Sequence, residues 1–188
     1  IRDDVEVVNY HAGNQKQLTA KVQLLNQDGT EQWNKQLTFD IDEDQTVACY
    51  PLENLDKMSE TYFIRLSLVD AQGREVSSNF YVRGQEEENY QSLRNLPSIQ
   101  LDVKTAVESQ NGRKELTTIL KNTTKTPALM VHLQVKGAKS GQRILPALYQ
   151  DNYLFLMPGE ERIVVSSVAD ADTQGEQPVM EVTGFNLK

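Results

Sequence analysis

The residues best suited to chemistry form the run YQDNY, Tyr149 to Tyr153. Carbohydrate sites combine apolar and polar contacts, so Tyr149 could stack on a sugar face while Asp151 and Asn152 bond its hydroxyls. The alternative is structural: Asp151 and Asn152 bond the backbone of their own loop, and the aromatic rings of Tyr149 and Tyr153 pack against a neighbouring domain. We favour the structural interpretation.

The sequence contains no recognisable motif for a catalytic nucleophile or a zinc site. A catalytic triad needs a serine or cysteine beside a histidine base, and neither His11 nor His132 lies in a recognisable motif. We interpret both as surface or interface residues. The single cysteine, Cys49, lies in an apolar run and is predicted to be a buried small hydrophobic residue. The spacings predict no zinc site, and no glycine-rich phosphate loop or other cofactor motif is present.

An acidic segment has the spacing of a calcium loop. Asp40, Asp42 and Asp44 match its first, third and fifth positions. However, Gln45 and Pro51 stand where that loop requires a glycine and a bidentate glutamate. We therefore predict a solvated acidic turn and no metal site.

One triplet, Asn122-Thr123-Thr124, fits an N-glycosylation acceptor. Such triplets arise often by chance, and they are used only in a host that glycosylates proteins.

Composition restricts the class of protein. The 188 residues suit two small domains, and 38% hydrophobic with 24% charged residues is typical of a globular chain. A net charge of −8 disfavours nucleic acid as a partner, and no apolar run is long enough for membrane insertion. The chain starts inside a predicted strand without an initiator methionine or signal segment, from which we expect a piece of a longer protein.

Alternating side chains predict strands in the first half. Leu18 to Leu24 shows the two-residue period of a half-buried strand, and Asp28-Gly29 marks the turn before the next one. Trp33 is interpreted as core and not as a ligand platform. We expect Tyr62 to Leu68 to point one face inward, with Val76, Ser78, Phe80 and Val82 lining the partner strand.

A change in composition predicts a boundary. Residues 85–97 bring consecutive acids, Glu86 to Glu88, and a closing proline, which we interpret as a solvated linker. In the second half Asn111-Gly112 is a hairpin-type turn, and Leu129 to Val135 alternates so that Met130 and His132 face away from the core. Tyr153 to Met157 and Glu160 to Val168 read as a hairpin about a type II turn at Pro158-Gly159.

The predicted fold is all-β, two tandem immunoglobulin-like β-sandwich domains. The first covers residues 1–84, the linker residues 85–97 and the second, C-terminal domain residues 98–188. Each half offers about seven short strands, the number that an immunoglobulin-like sandwich needs.

Two segments carry a family resemblance. The first contains Ile144-Leu145-Pro146, Tyr149, Asp151-Asn152-Tyr153 and Leu156-x-Pro158-Gly159-Glu160, and the second runs from Tyr62 to Val82. Both resemble the C-terminal immunoglobulin-like domains of glycoside hydrolase family 2 enzymes, of the exo-β-glucosaminidase and β-mannosidase type. The resemblance implies a glycosidase fragment, and it favours a periplasmic or extracellular location over a cytoplasmic one.

Retaining glycosidases need two carboxyl groups about 5 Å apart, commonly at the strand ends of a barrel. The acids of this chain cluster in polar turns, so the resemblance implies catalytic residues N-terminal to Ile1 and none within the chain. The chain would buttress the catalytic barrel of the same parent chain and perform no hydrolysis alone, with one rim of the substrate cleft as a further role. The alternatives are an independent module that binds oligosaccharide and a cell-surface spacer of adhesin type.

Overall fold

The computed structural model describes residues 4–53, 55–86 and 90–188. It divides into two compact units, Ile1–Asn95 and Leu96–Lys188. Regular structure in the described residues consists of strands and three short 3₁₀ helices, which confirms the all-β prediction. Among these residues no helix is long and apolar enough to span a membrane. Glu87 and Glu88 of the predicted acidic run lie outside the described residues.

The first unit has two antiparallel sheets. One pairs β1 with β4, and the other has the order β3-β2-β5-β6. The strands are β1 (Asp4–Val8), β2 (Gln15–Asn26), β3 (Glu31–Ile41), β4 (Thr46–Pro51), β5 (Thr61–Val69) and β6 (Glu75–Gly84).

Alternation in β2 places four side chains in the core of the first unit: Leu18, Ala20, Val22 and Leu24 are buried, as predicted. Leu24 packs with Met58, Tyr62 and Ile64, and Trp33 packs against this cluster. The 3₁₀ helix Leu55–Lys57 supplies the connection that carries Met58 into it. A second 3₁₀ helix, Gln91–Asn95, lies in the segment that we interpreted as a linker.

The prediction for the inner face of β6 is wrong. Ile64 pairs with Tyr81 and Leu66 with Asn79, so Phe80 faces the other way, with Phe63. The Phe63 and Phe80 rings lie 5.4 Å apart between centroids. The pairing of β5 with β6 shifts by one residue between Leu68 and Val69. A shift of one residue moves every side chain of a strand to the opposite face of the sheet, so the register expected from a simple hairpin does not hold.

The second unit is a sandwich of a four-stranded sheet, β10-β12-β8-β7, and a three-stranded sheet, β11-β9-β13. Its strands are β7 (Asp102–Gln110), β8 (Arg113–Lys121), β9 (Ala128–Gly137), β10 (Ala147–Tyr149), β11 (Leu154–Leu156), β12 (Glu161–Ala169) and β13 (Pro178–Thr183).

The second core is predicted well by alternation. In β9, Leu129, Val131, Leu133 and Val135 are all buried, whereas Met130 is exposed. Asn111 and Gly112 both have positive φ, 52° and 73°, as the two central residues of a type I′ turn require, and they join β7 to β8.

The predicted hairpin around Pro158-Gly159 is wrong in its pairing. The turn itself is present, since Gly159 has φ 81° and the Glu160 N–H donates to the Met157 carbonyl at 3.1 Å. However, β11 pairs with β9, and β12 pairs with β8 and β10. The turn therefore carries the chain from one sheet of the sandwich to the other, a change that a local turn motif does not reveal.

Candidate functional site

The segment Gln150 to Tyr153 crosses between the two sheets of the second unit. It leaves β10, which pairs with β12, and enters β11, which pairs with β9. The crossing places its side chains beside the part of β9 that lies beyond the end of β11, where the backbone groups of β9 need partners. The geometry of each side chain decides whether it remains available to a ligand.

Tyr149 bridges the two sheets. Its ring packs against the buried cluster of Leu116, Val135, Ile144 and Val168. Its hydroxyl accepts the Val135 N–H at 2.8 Å. The side chain is half-buried and its hydroxyl has a backbone partner on β9, so its ring is not a free stacking platform.

Asn152 extends the β11–β9 ladder with its side chain. The register Leu154↔Val131 would bring Asn152 opposite Leu133 as the next pair. The side-chain amide of Asn152, and not its backbone, makes both bonds to Leu133. Oδ1 accepts the Leu133 N–H at 2.9 Å, and Nδ2 donates to the Leu133 carbonyl at 3.0 Å. The Asn152 amide thus satisfies backbone groups that would otherwise lack partners.

Asp151 and Tyr153 form the exposed part of the crossing. Asp151 Oδ1 accepts the Asn152 N–H at 2.7 Å. Tyr153 is 57% exposed and its ring stacks on His132, with centroids 4.6 Å apart and planes 15° apart. Of the four residues singled out from the sequence, these two are the ones whose side chains face solvent.

Three further residues, His132, Gln134 and Arg143, form a series of contacts that begins at Tyr153, and the sequence did not predict this cluster. His132 Nδ1 lies 3.2 Å from Gln134 Nε2, and Arg143 Nε donates to Gln134 Oε1 at 3.1 Å. The alternation of β9 places His132 and Gln134 on its outer face, and that signal was present in the sequence. The contact of His132 with Tyr153 and that of Gln134 with Arg143 depend on how the chain crosses between the sheets.

Tyr149→Phe should lower the free energy of unfolding by about 1 kcal/mol, because the Val135 N–H loses its acceptor while the ring still packs. Urea denaturation followed by circular dichroism measures this. The matched control is Tyr153→Phe, whose hydroxyl lies on an exposed side chain, and we expect no change there. Equal effects of the two substitutions would contradict the bridging role of Tyr149.

The glycosylation interpretation of Asn122 is wrong for the folded chain. The residue is 0% exposed. Its Nδ2 donates to the carbonyls of Thr126 and Leu156 at 2.8 and 3.0 Å, and its Oδ1 accepts the N–H and the hydroxyl of Thr124. The amide nitrogen is buried and donates to two backbone carbonyls, so it is inaccessible to a glycosyl donor.

The acidic turn and the cysteine show no reactive geometry. Asp40, Asp42 and Asp44 are exposed, and Asp40 Oδ1 accepts the Gln17 N–H at 2.8 Å. In the described part of the chain, no three His, Cys, Asp or Glu residues gather into a group that could hold a metal ion. Cys49 is half-buried and not fully buried as predicted, and burial, then Glu6, raises the pKa of its thiol. A raised pKa disfavours the nucleophilic thiolate.

Comparison with known proteins gives a consistent family. A family model described as the exo-beta-D-glucosaminidase Ig-fold domain matches residues 79–187. The chain is 29% identical over 206 residues to an exo-beta-D-glucosaminidase of Streptomyces avermitilis and 27% identical over 207 residues to that of Amycolatopsis orientalis. These alignments cover 97% of this chain but only 23% and 20% of the relatives.

Solved structures agree. The crystal structure of Amycolatopsis orientalis exo-chitosanase CsxA matches with a TM-score of 0.86 and 25% identity, over 98% of this chain and 24% of that one. A β-D-mannosidase from Dictyoglomus thermophilum matches with a TM-score of 0.56 at 17% identity, which shows a shared fold alone. The chain spans about a quarter or less of the length of these relatives.

Proposed function

This chain belongs to the family of exo-beta-D-glucosaminidase Ig-fold domains, within glycoside hydrolase family 2, and on that premise we propose that it is a non-catalytic accessory region of a longer exo-glucosaminidase. The observation that carries the proposal is the small share of the relatives' length that this chain covers. Nearly the whole chain aligns with the relatives, yet it accounts for only 23% of the first of them. Hydrolysis of the glycosidic bond is then the work of another part of the longer protein.

Two carboxyl groups among the described residues have pKa values shifted away from those of a general acid. A glycosidase that uses two carboxyl groups needs one with a raised pKa to act as the acid. The pKa of Asp70 is lowered, chiefly by the Arg74 N–H, and the pKa of Glu176 is lowered by the N–H groups of Ser140 and Lys139. Both shifts favour the charged form, the opposite of what a general acid requires.

The surface of the second unit supports contact with a neighbour. Leu145 and Leu148 are 68% and 62% exposed, and Tyr153 is also exposed. Ile163 stands on the outer face of the four-stranded sheet, paired with Ile119. Leu148 shares this outer face, because it pairs with Ser167, four residues after Ile163 on β12. Exposed apolar side chains that share one face are candidates for an interaction surface. We assign them to contacts with the catalytic domain of the longer protein.

The test measures the effect of Tyr153→Asn on stability in the isolated chain and in the longer protein. Asparagine tolerates the positive φ of this position, 58°, so the substitution removes the ring without adding backbone strain. We expect about 1 kcal/mol of destabilisation in the isolated chain, from the lost stacking on His132, and at least twice that in the longer protein. Urea denaturation of both proteins measures the difference.

The control for this comparison is Tyr90→Asn, at a side chain that is 41% exposed in the first unit. Its effect should be small in both proteins. Equal losses for Tyr153→Asn in the isolated chain and in the longer protein would count against Tyr153 as a contact with the catalytic domain.

A second candidate function, binding of oligosaccharide, is favoured by one observation. The exposed Tyr153 ring stacks on His132, and His132 Nδ1 lies within hydrogen-bond distance of the Gln134 amide. An apolar ring and hydrogen-bonding groups therefore occur in one cluster, as a sugar site requires. A sugar contact here would use Tyr153 and Asp151 and not Tyr149. Titration of the isolated chain with glucosamine oligosaccharides distinguishes the two: saturable binding that Tyr153→Asn abolishes supports the module, and its absence supports the accessory role.

A further inference from the structure

One edge of the first sandwich is open. The strand β1 pairs with β4 on one side, and among the described residues no strand pairs with its other side. A groove of about 1000 Å³ lies along β1, and Val5 to Asn9 all line it. A strand edge with unpaired backbone groups is a template for a further strand.

The groove has an apolar floor. The side chains of Ala20 and Val22 on β2, and of Leu66 and Leu68 on β5, line it. Ala20 and Val22 are buried, whereas Leu66 and Leu68 are only half-buried. These four residues share the inner face of the sheet because the register pairs Ala20 with Leu68 and Val22 with Leu66. The inner face of the larger sheet is therefore incompletely covered at this point.

The backbone of β1 has groups directed towards the groove. The Asn9 N–H and carbonyl bond to Gln45 and Asp44, on the side of β4. Successive residues of a strand direct their N–H and C=O groups to opposite sides, so Val7 faces β4 while Glu6 and Val8 face the groove. Val8 is 41% exposed.

The second unit shows what occupies the corresponding place. There β8 precedes the central strand β9 of the opposite sheet, as β1 precedes β2, and β8 pairs with β12 as β1 pairs with β4. However, β8 also has a partner on its other side, β7, which pairs antiparallel from Asp102↔Lys121 to Gln110↔Arg113. The first unit has no counterpart of β7 among the residues that the structure describes.

We propose that the groove beside β1 receives an antiparallel β-strand from the part of the longer protein that precedes Ile1. The proposal rests on the proposed function, because it requires a longer protein. The source follows from β7, which comes directly before its partner in sequence and reaches it through a two-residue turn. The added strand carries apolar side chains towards Leu66 and Leu68, and its backbone bonds the groups of Glu6 and Val8.

The first test is hydrogen exchange resolved to single amides by fragmentation mass spectrometry. In the longer protein the Val8 amide should exchange at least ~10-fold more slowly than in the isolated chain, because only there does it have a strand partner. The Val7 amide faces β4 and serves as the internal control, with similar protection in both proteins. Unchanged Val8 exchange in a longer protein with normal Val7 protection would overturn the proposal.

A pair of proline variants provides the second test. Proline removes an N–H, so Val8→Pro should lower the melting temperature of the longer protein by about 4 °C or more and leave that of the isolated chain nearly unchanged. Val7→Pro removes an N–H that faces β4 and should destabilise both proteins. Equal sensitivity of the isolated chain to both variants would contradict the assignment of Val8 to an unpaired edge.

Two further outcomes are distinguishable. If the longer protein hydrolyses glucosaminides while its Val8 amide stays unprotected, the strand proposal fails and the proposed function stands. If the isolated chain protects Val8 in a concentration-dependent manner and sediments as a dimer, a second copy is the occupant, and the proposal of an N-terminal strand fails. Protection of Val8 in the longer protein alone, with a monomeric isolated chain, supports it.

Discussion

Asn122→Ala is expected to lower the free energy of unfolding of the second unit by about 3 kcal/mol. The amide is fully buried and donates to the carbonyls of Thr126 and Leu156. Its oxygen accepts two bonds from Thr124. Alanine removes the buried donor to the Leu156 carbonyl and both bonds to Thr124, whereas the Thr126 carbonyl keeps a bond from the Thr124 hydroxyl at 3.0 Å. A buried polar group that loses its partner costs more than a hydrogen bond gains.

Urea denaturation with two probes measures this effect. Circular dichroism follows both units, and the fluorescence of Trp33, the one tryptophan of the chain, reports the first. Thr123→Ala is the control, because Thr123 is the exposed middle residue of the same triplet. A loss for Asn122→Ala no larger than for Thr123→Ala would show that the buried amide is not what stabilises this loop.

Asn152→Ala should lower the free energy of unfolding by about 2 kcal/mol, the second largest effect that we expect. Its amide pairs with both backbone groups of Leu133 and so completes the edge of β9 where the chain crosses between sheets. Asn152→Asp should also destabilise the unit, because a carboxylate keeps the acceptor for the Leu133 N–H but has no donor for the Leu133 carbonyl.

The same measurement separates the two interpretations of the crossing segment. A structural Asn152 shows its loss in urea denaturation, whereas a residue that serves only to bond a sugar would leave stability unchanged and affect binding alone. Gln150→Ala is the matched control, since Gln150 is exposed and bonds β12 through its backbone N–H. An effect of Asn152→Ala equal to that of Gln150→Ala would exclude the structural role.

Buried asparagines recur where strands end or change sheets. The Asn9 amide donates to the carbonyls of Gly13 and Asp42 after β1. Asn186, near the C-terminus, accepts the Leu129 N–H and donates to the carbonyls of Pro97 and Pro127. At such points the backbone leaves its regular ladder, and a side-chain amide, which has both a donor and an acceptor, replaces the missing partner.

The sequence predicts those parts of the fold that depend on local pattern. Alternation identified the buried faces of β2 and β9, because a half-buried strand must alternate wherever one face meets a core. Asn111-Gly112 identified a hairpin, since few residue pairs tolerate positive φ at both positions. The family resemblance rested on motifs around Tyr149 to Glu160 and Tyr62 to Val82, and the family is confirmed.

The errors share one physical origin, which is that strand pairing depends on distant residues. The Pro158-Gly159 turn forms locally, but its flanking strands choose partners in β9 and β8. A register shift after Leu68 reversed the face of Phe80. Asn122 fits an acceptor triplet, yet its bond to Leu156, 34 residues away, buries it. Local sequence patterns predict none of these long-range contacts.

The candidate site was predictable in position but not in the role of each residue. Tyr149 to Tyr153 stands out in sequence because polar side chains interrupt an apolar segment. Which of them face solvent depends on the crossing between sheets, which directs Tyr149 and Asn152 to β9 and leaves Asp151 and Tyr153 outside.

A non-catalytic chain is distinguished from a catalytic one by the release of p-nitrophenol from p-nitrophenyl β-D-glucosamine, measured for the isolated chain and for the longer protein that contains it. We expect the longer protein to turn over this glycoside and the isolated chain to release no more product than buffer alone. Release by the isolated chain in proportion to its concentration, retained through successive purification steps, would contradict the proposal that these two β-sandwich units are a non-catalytic accessory region.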